Sequence, residues 1–155
     1  MRATRANGWL KAGGVAGLVV LVDASLKAWA RSSLVLGERR DLIWPVDLVH
    51  VENTGVAFGA LSGRGWIVPA LTLVALSGVL IWFSFNAGSR GAWLPTGLVL
   101  GGALGNLIDR ARLGAVTDFI KLPNWPAFNF ADVAITVGVV MLVVVAERNA
   151  RADKD

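Results

Sequence analysis

The sequence predicts an all-α membrane protein, a four-transmembrane-helix bundle with a small extramembrane β-containing cap on its outer face. Three observations carry that expectation. Hydrophobic residues make up 55% of the 155 and charged residues only 17%, against ~45–50% and ~25% in a soluble domain. Two stretches, Trp66 to Phe85 and Gly91 to Ile108, hold no charged residue at all, and a membrane helix needs ~20 such residues. Between the apolar stretches, short segments alternate polar and apolar residues with the period of a strand.

The first span covers about residues 12–30, interrupted by Asp23 and Lys27. Arg2, Arg5 and Lys11 ahead of it, and Ala28-Trp29-Ala30 near its end, imitate a cleavable secretory signal. Asp23 and Lys27 fall between the apolar stretch and that supposed cleavage site, so the segment reads as a retained helix. The second span is 66–85 and the third 91–108; Pro69 and Pro95 sit near their starts, where a missing N–H costs little. The fourth is 128–146, with Asp132 in its first turns. All four belong to one domain, residues 1–155, with outer loops at 31–65 and 109–127.

Two segments outside the spans read as strands. Val46 to Val51 alternates and then turns at Asn53-Thr54-Gly55. Val116 to Ile120 is bounded by Gly114 and Pro123. Together they predict a small sheet at the membrane surface.

The net charge of +4 comes from 15 Lys and Arg against 11 Asp and Glu. The basic residues gather at segment ends rather than in one patch, which suits the flanks of membrane spans and argues against a nucleic-acid partner. Seven basic residues (Arg2, Arg5, Lys11, Arg90, Arg148, Arg151, Lys154) and seven others (Arg31, Arg39, Arg40, Arg64, Arg110, Arg112, Lys121) lie on opposite sides. The first set is denser and leads the first helix, so both termini are expected inside. Asp23, Lys27, Asn106, Asp109, Arg110, Asp118 and Asp132 then converge on the outer face, and ionisable groups at membrane depth read as functional.

The absence of cysteine excludes disulfides, thiolate metal sites, a Cys nucleophile and lipidation of the chain at Cys. The one histidine, His50, has only Glu52 nearby, too little for a metal site and almost nothing for a nucleophilic triad. Carboxylates remain as the acid–base groups. Asp118 and Asp132 flank a 13-residue connection containing Pro123 and Pro126, and a turn there brings them face to face. Two close carboxylates share a proton, so one accepts from water while the other donates to a carbonyl. On spacing alone, a proton relay or a buried hydrogen-bonded pair explains these residues equally well.

The remaining features have structural readings. Asp23 and Lys27 are i, i+4 on one face, which predicts mutual neutralisation with Lys27 snorkelling outward. Asp109-Arg110 reads as a solvated helix end. Gly97, Gly101 and Gly105, with Gly102 beside them, form a ridge for close helix packing, with Gly13 and Gly17 as its expected partner.

The order and wording of these segments resemble the lipoprotein signal peptidases, the type II signal peptidases of bacteria. The resemblance rests on Asp23-x-x-x-Lys27, Asn53-Thr54-Gly55-Val56-Ala57-Phe58-Gly59 and Gly101-Gly102-Ala103-Leu104-Gly105-Asn106-Leu107-Ile108-Asp109-Arg110. It continues through Gly114-Ala115-Val116-Thr117-Asp118-Phe119 and Phe128-Asn129-Phe130-Ala131-Asp132. It implies an aspartic endopeptidase of the bacterial cytoplasmic membrane, with Asp118 and Asp132 as catalytic dyad at the outer face and neither metal nor cofactor. Its substrates would be prolipoproteins, cut before a cysteine already bearing diacylglyceryl, in a setting of membrane lipids. Asn53, Asn106, Arg110 and Asn129 would line the substrate site, Asp23, Lys27 and Asp109 would support it, and the 31–65 loop would cover it. The competing classes are a small proton-coupled transporter or channel subunit using Asp23, Asp118 and Asp132, and a non-catalytic scaffold packed through its glycines. A transporter should spread acids through the membrane's depth, whereas here the inner half has none.

Overall fold

The structure is a computed structural model that describes residues 2–55 and 66–152. Residues 56–65, which include Val56-Ala57-Phe58-Gly59 and form the last ten residues of the expected covering loop, lie outside the described residues. Four long helices carry a three-stranded antiparallel sheet in the order α1 (Arg2–Ser33), β1 (Arg39–Ile43), β2 (Val46–Asn53), α2 (Ile67–Asn86), α3 (Trp93–Leu113), β3 (Val116–Lys121) and α4 (Phe130–Ala152). Both expected strands form. β1 was not expected, and its five residues are all exposed, so no alternation marks it.

Helix α1 begins ten residues before the expected span. Its first turns are held by contacts near the α2–α3 turn: Trp9 meets Phe83 edge-on with ring centroids 4.7 Å apart, and Lys11 lies 5.6 Å from the Trp93 ring centre. By length and apolarity three helices can cross a membrane, at residues 4–33, 67–86 and 130–151. Helix α3 is the exception to the expected four. Its apolar character is diluted by glycines and polar residues, because it is the central helix and faces protein on most sides; Thr96, Gly97, Gly101, Gly102, Gly105, Asn106 and Asp109 are all buried.

The glycine ridge explains how α3 takes that position. A Cβ on Gly97 would lie 2.7 Å from the Ala12 carbonyl oxygen, and one on Gly101 would lie 2.7 Å from that of Ala16. On the adjoining face, a Cβ on Gly102 would lie 2.5 Å from the carbonyl oxygen of Ala131. The ridge therefore seats α1 on one side and α4 on the other. Gly13 and Gly17 are not its partners: a Cβ on either meets nothing within 4 Å. The partner surface is Ala12, Val15, Ala16 and Val19 instead.

Helix α3 also runs past the expected end, through Asp109 and Arg110 to Leu113. It stops where Gly114 turns left-handed (φ 76°) and donates its N–H to the Arg110 carbonyl. Asp109 is thus no solvated helix end; it is buried inside the bundle.

Candidate active site

The sheet places the first carboxylate. In the β2–β3 register Asn53 pairs with Val116 and Val51 with Asp118, so Asn53 and Asp118 share a face as diagonal neighbours. Asn53 ends β2 in a local turn in which its Oδ1 accepts the Gly55 N–H at 2.8 Å. That fixes the amide, and its Nδ2 donates to Asp118 Oδ2 at 3.0 Å. Gly55 is left-handed (φ 78°), and a Cβ there would come within 3.1 Å of Val68. Glycine is the residue the turn requires.

The second carboxylate arrives through a backbone clasp. Phe128 and Ile120 exchange both backbone hydrogen bonds, each at 2.9 Å. This closes the connection carrying Pro123 and Pro126 and puts Asn129 directly beside Asp118. Asn129 is the N-cap of α4. Its Oδ1 accepts the Asp132 N–H at 3.1 Å, and Asp132 Oδ2 accepts the Asn129 N–H at 3.2 Å. This is a capping box with aspartate in the third position. The same Asn129 side chain donates through Nδ2 to Asp118 Oδ1 at 2.7 Å and to Asn106 Oδ1 at 3.2 Å. Asn106 Nδ2 completes the set by donating to Asp132 Oδ1 at 2.9 Å. All four carboxylate oxygens of Asp118 and Asp132 therefore accept a hydrogen bond from an uncharged amide.

Beneath Asn106 lies a second cluster. Lys27 is wholly buried, 2.7 Å from Asp23 and 3.3 Å from Asp109, and donates to Asn106 Oδ1 at 2.9 Å. It does not snorkel outward, because three acceptors reach it from inside the bundle. Each acid also ties down backbone: Asp23 accepts from Ala131 N at 2.9 Å, linking α1 to α4, and Asp109 accepts from Thr117 N at 3.1 Å, linking α3 to β3. Gly105 makes room for this, since a Cβ there would lie 2.6 Å from Asp23 Oδ2. Arg31 donates to Thr117 Oγ1 at 2.9 Å, an unanticipated link to β3. Its signal was available: Asp23, Lys27 and Arg31 recur every four residues on one helix face.

Arg110 lies within charge–charge reach of Asp132, Asp118 and Asp109. Its Nε is buried and has no hydrogen-bond partner among the described residues, so a donor remains free beside the two carboxylates. Burial pushes the Asp118 carboxyl up from 3.8 to about 6, against the lowering effect of Asn53 and Asn129 and with the Asp132 charge adding to the rise. His50 serves the scaffold, with Nδ1 3.0 Å from the Leu34 carbonyl oxygen. Among the described residues no group of three or more metal-ligating side chains occurs. Against Asp132 opens a cavity of about 260 Å³ whose other walls are Trp125, Phe128, Val133, Thr136 and Val137.

All nine residues expected at the site thus meet at the sheet end of the bundle. The arrangement of two amide-held acids, one of them raised toward neutrality, suits general acid–base hydrolysis. Comparison with known proteins agrees. The family model for signal peptidase (SPase) II matches residues 15–147. The chain is 39% identical over 128 residues to the lipoprotein signal peptidase of Halothermothrix orenii, covering 82% of this chain and 88% of that one. It is 41% identical over 141 residues to that of Syntrophomonas wolfei subsp. wolfei, covering 86% and 95%. In fold it is similar to a bacterial membrane enzyme solved by the in meso method at 1.9 Å, with TM-score 0.72 and 27% identity over 85% of this chain and 89% of the other. With residues 15–147 matched by the family model and relatives about 40% identical over more than four-fifths of the chain, the chain belongs to the lipoprotein signal peptidase (signal peptidase II) family, aspartic peptidases that remove signal peptides from prolipoproteins.

Proposed function

We propose that Asp118 and Asp132 are the catalytic dyad and that the chain cuts prolipoproteins immediately before a diacylglyceryl-modified cysteine. The observation that carries this is the Asn129 side chain, which caps Asp132 while donating to Asp118 at 2.7 Å. One rigid amide thereby couples two acids whose protons must be exchanged.

Asp132 is the base. It lies in the first turn of α4 and lines the cavity walled by Trp125, Phe128 and Val137. Asp118, which burial raises to about 6, serves as the acid of the pair. Asp132 takes a proton from water as the oxygen adds to the scissile carbonyl carbon, and Asp118 gives its proton to the carbonyl oxygen. In the collapse, Asp132 passes its proton to the departing amine, the C–N bond breaks, and Asp118 recovers a proton from the gem-diol. Arg110, Asn53, Asn106 and Asn129 line this space, and the unpartnered Arg110 Nε supplies a donor for a developing oxyanion or a substrate carbonyl. The apolar walls beside Asp132 suit the hydrophobic part of the signal peptide.

All four helices span the bacterial cytoplasmic membrane, with α3 shielded from lipid by its neighbours, both termini inside and the sheet on the outer face. Membrane lipids surround the chain and no nucleic acid is a partner. The test is cleavage of a diacylglyceryl-modified prolipoprotein by purified wild type, Asp118→Asn and Asp132→Asn. Each variant should lose about 10²–10⁴-fold in rate, the usual worth of a general acid or base. Undiminished cleavage by both folded variants would sink the dyad.

A further inference from the structure

Along the α1–α3 seam two cavities share the side chains of Val20 and Ile108. The upper, of about 200 Å³, holds the charged groups of the seam, with Arg31 and Arg112 in its wall alongside Asp23 and Asp109. The lower is a trough of about 500 Å³ lined by Gly13, Gly17, Leu100 and Leu104 and ending at Trp9. Neither includes Asp118 or Asp132. We propose that this seam is a phospholipid site, with the phosphate held between Arg31 and Arg112 and one acyl chain lying in the trough.

Charge decides the upper half. The two acids in its wall are already answered from within by Lys27, which is 2.7 Å from Asp23 and 3.3 Å from Asp109. Counting Lys27, Arg31 and Arg112 against Asp23 and Asp109, the cluster carries one net positive charge. Arg31 has one nitrogen on Thr117 and lies 3.9 Å from Asp109, with about a third of its side chain exposed. Its other N–H groups remain available. Arg112 is exposed and makes no hydrogen bond or ion pair among the described residues. Two guanidinium groups at the rim of a pocket are matched to phosphate oxygens, which they bind in fork geometry.

Shape decides the lower half. Gly13 and Gly17 face open space rather than another helix, so they give the trough a flat floor instead of a packing contact. From Arg31 to Gly17 the two cavities together follow α1 for about 21 Å at ~1.5 Å per residue, close to half of a ~40–45 Å bilayer counted with its headgroups, so a chain from the outer leaflet reaches the trough floor at Gly17. Because Arg31 also holds Thr117, the neighbour of Asp118, a bound phosphate braces β3 against α1.

The experiment compares three ligands on the purified full-length protein in detergent: phosphatidylglycerol, glycerol phosphate (headgroup without chains) and diacylglycerol (chains without phosphate). Thermal unfolding and native mass spectrometry read the result. Phosphatidylglycerol should raise the unfolding midpoint by several degrees and remain as a one-to-one adduct, while neither fragment does so. Arg112→Gln should weaken retention roughly ten-fold, as expected for one lost charge-assisted contact. Gly17→Leu, whose side chain enters empty space, should keep the lipid-free midpoint and lose retention by blocking the trough. Equal stabilisation by glycerol phosphate or by diacylglycerol overturns the proposal. So does retention of phosphatidylglycerol unchanged in Gly17→Leu, which decides the matter even if Arg112→Gln does not fold.

Discussion

Two buried acid pairs lie almost in contact at the sheet end of the bundle, and they are held in opposite ways. Asp23 and Asp109 share a cation, Lys27, at 2.7 and 3.3 Å. Asp118 and Asp132 are held by neutral amides alone, from Asn53, Asn106, Asn129 and the Asn129 backbone. A contact cation holds an acid in place by charge as well as by hydrogen bond. A neutral amide donates to the charged form without insisting on it, so the proton stays free to move. In the proposed mechanism the first pair builds the site and the second works in it, with Asn106 joining the two.

The largest effect that tests this contrast is on stability. Lys27→Met leaves two buried carboxylates without their cation and should cost about 3–5 kcal/mol, measured as loss of unfolding free energy in detergent. Adding Asp23→Asn to the same chain should recover part of that loss. A Lys27→Met protein as stable as wild type would erase the distinction.

Next comes the pH dependence of the proposed dyad. The folded chain raises Asp118 from 3.8 to about 6, so the native state holds this proton more tightly than the unfolded state does. The associated stability is complete below about pH 4 and is lost as pH rises through about 6, amounting to roughly 3 kcal/mol. Wild type should therefore lose stability relative to Asp118→Asn between these values. Parallel curves for the two proteins from pH 4 to 7 would show that burial does not act on Asp118 as described.

The smallest effect separates the two jobs of Asn129. Asn129→Ser keeps an N-cap, so stability should stay within about 1 kcal/mol of wild type. It removes the donor to Asp118, and cleavage should fall about 10–100-fold, the worth of one hydrogen bond to a charged group. If stability and cleavage fell together, capping would be the residue's only role.

Much of this was legible in the sequence, for reasons that differ by region. The charge-free stretches announced α2 and most of α3, alternation announced β2, and a strand-like run bounded by Gly114 and Pro123 announced β3. Strand β1 was invisible because all five of its residues are exposed and only pairing with β2 makes it a strand. The dyad was visible as two acids around a proline-containing connection, but its coupling through Asn129 depends on the Ile120–Phe128 clasp, a purely backbone contact. Lys27 was misread for a related reason. Its nearest sequence partner is Asp23, and nothing local says that Asn106 and Asp109, 79 or more positions away, arrive from another helix. Gly13 and Gly17 matched the spacing of a packing motif, yet spacing cannot tell which side of α1 faces α3.

The Ile120–Phe128 clasp has a consequence for how such a chain can vary. Because both backbone bonds close at the neck of the connection, the distance from Asp118 to the cap of α4 is set there and not by the residues enclosed, 121–127. Of the enclosed residues Lys121 still belongs to β3 and Trp125 to the cavity wall beside Asp132, but the length of chain between them can grow or shrink while the register of the two acids stays the same. The site keeps its metric while its rim is open to revision.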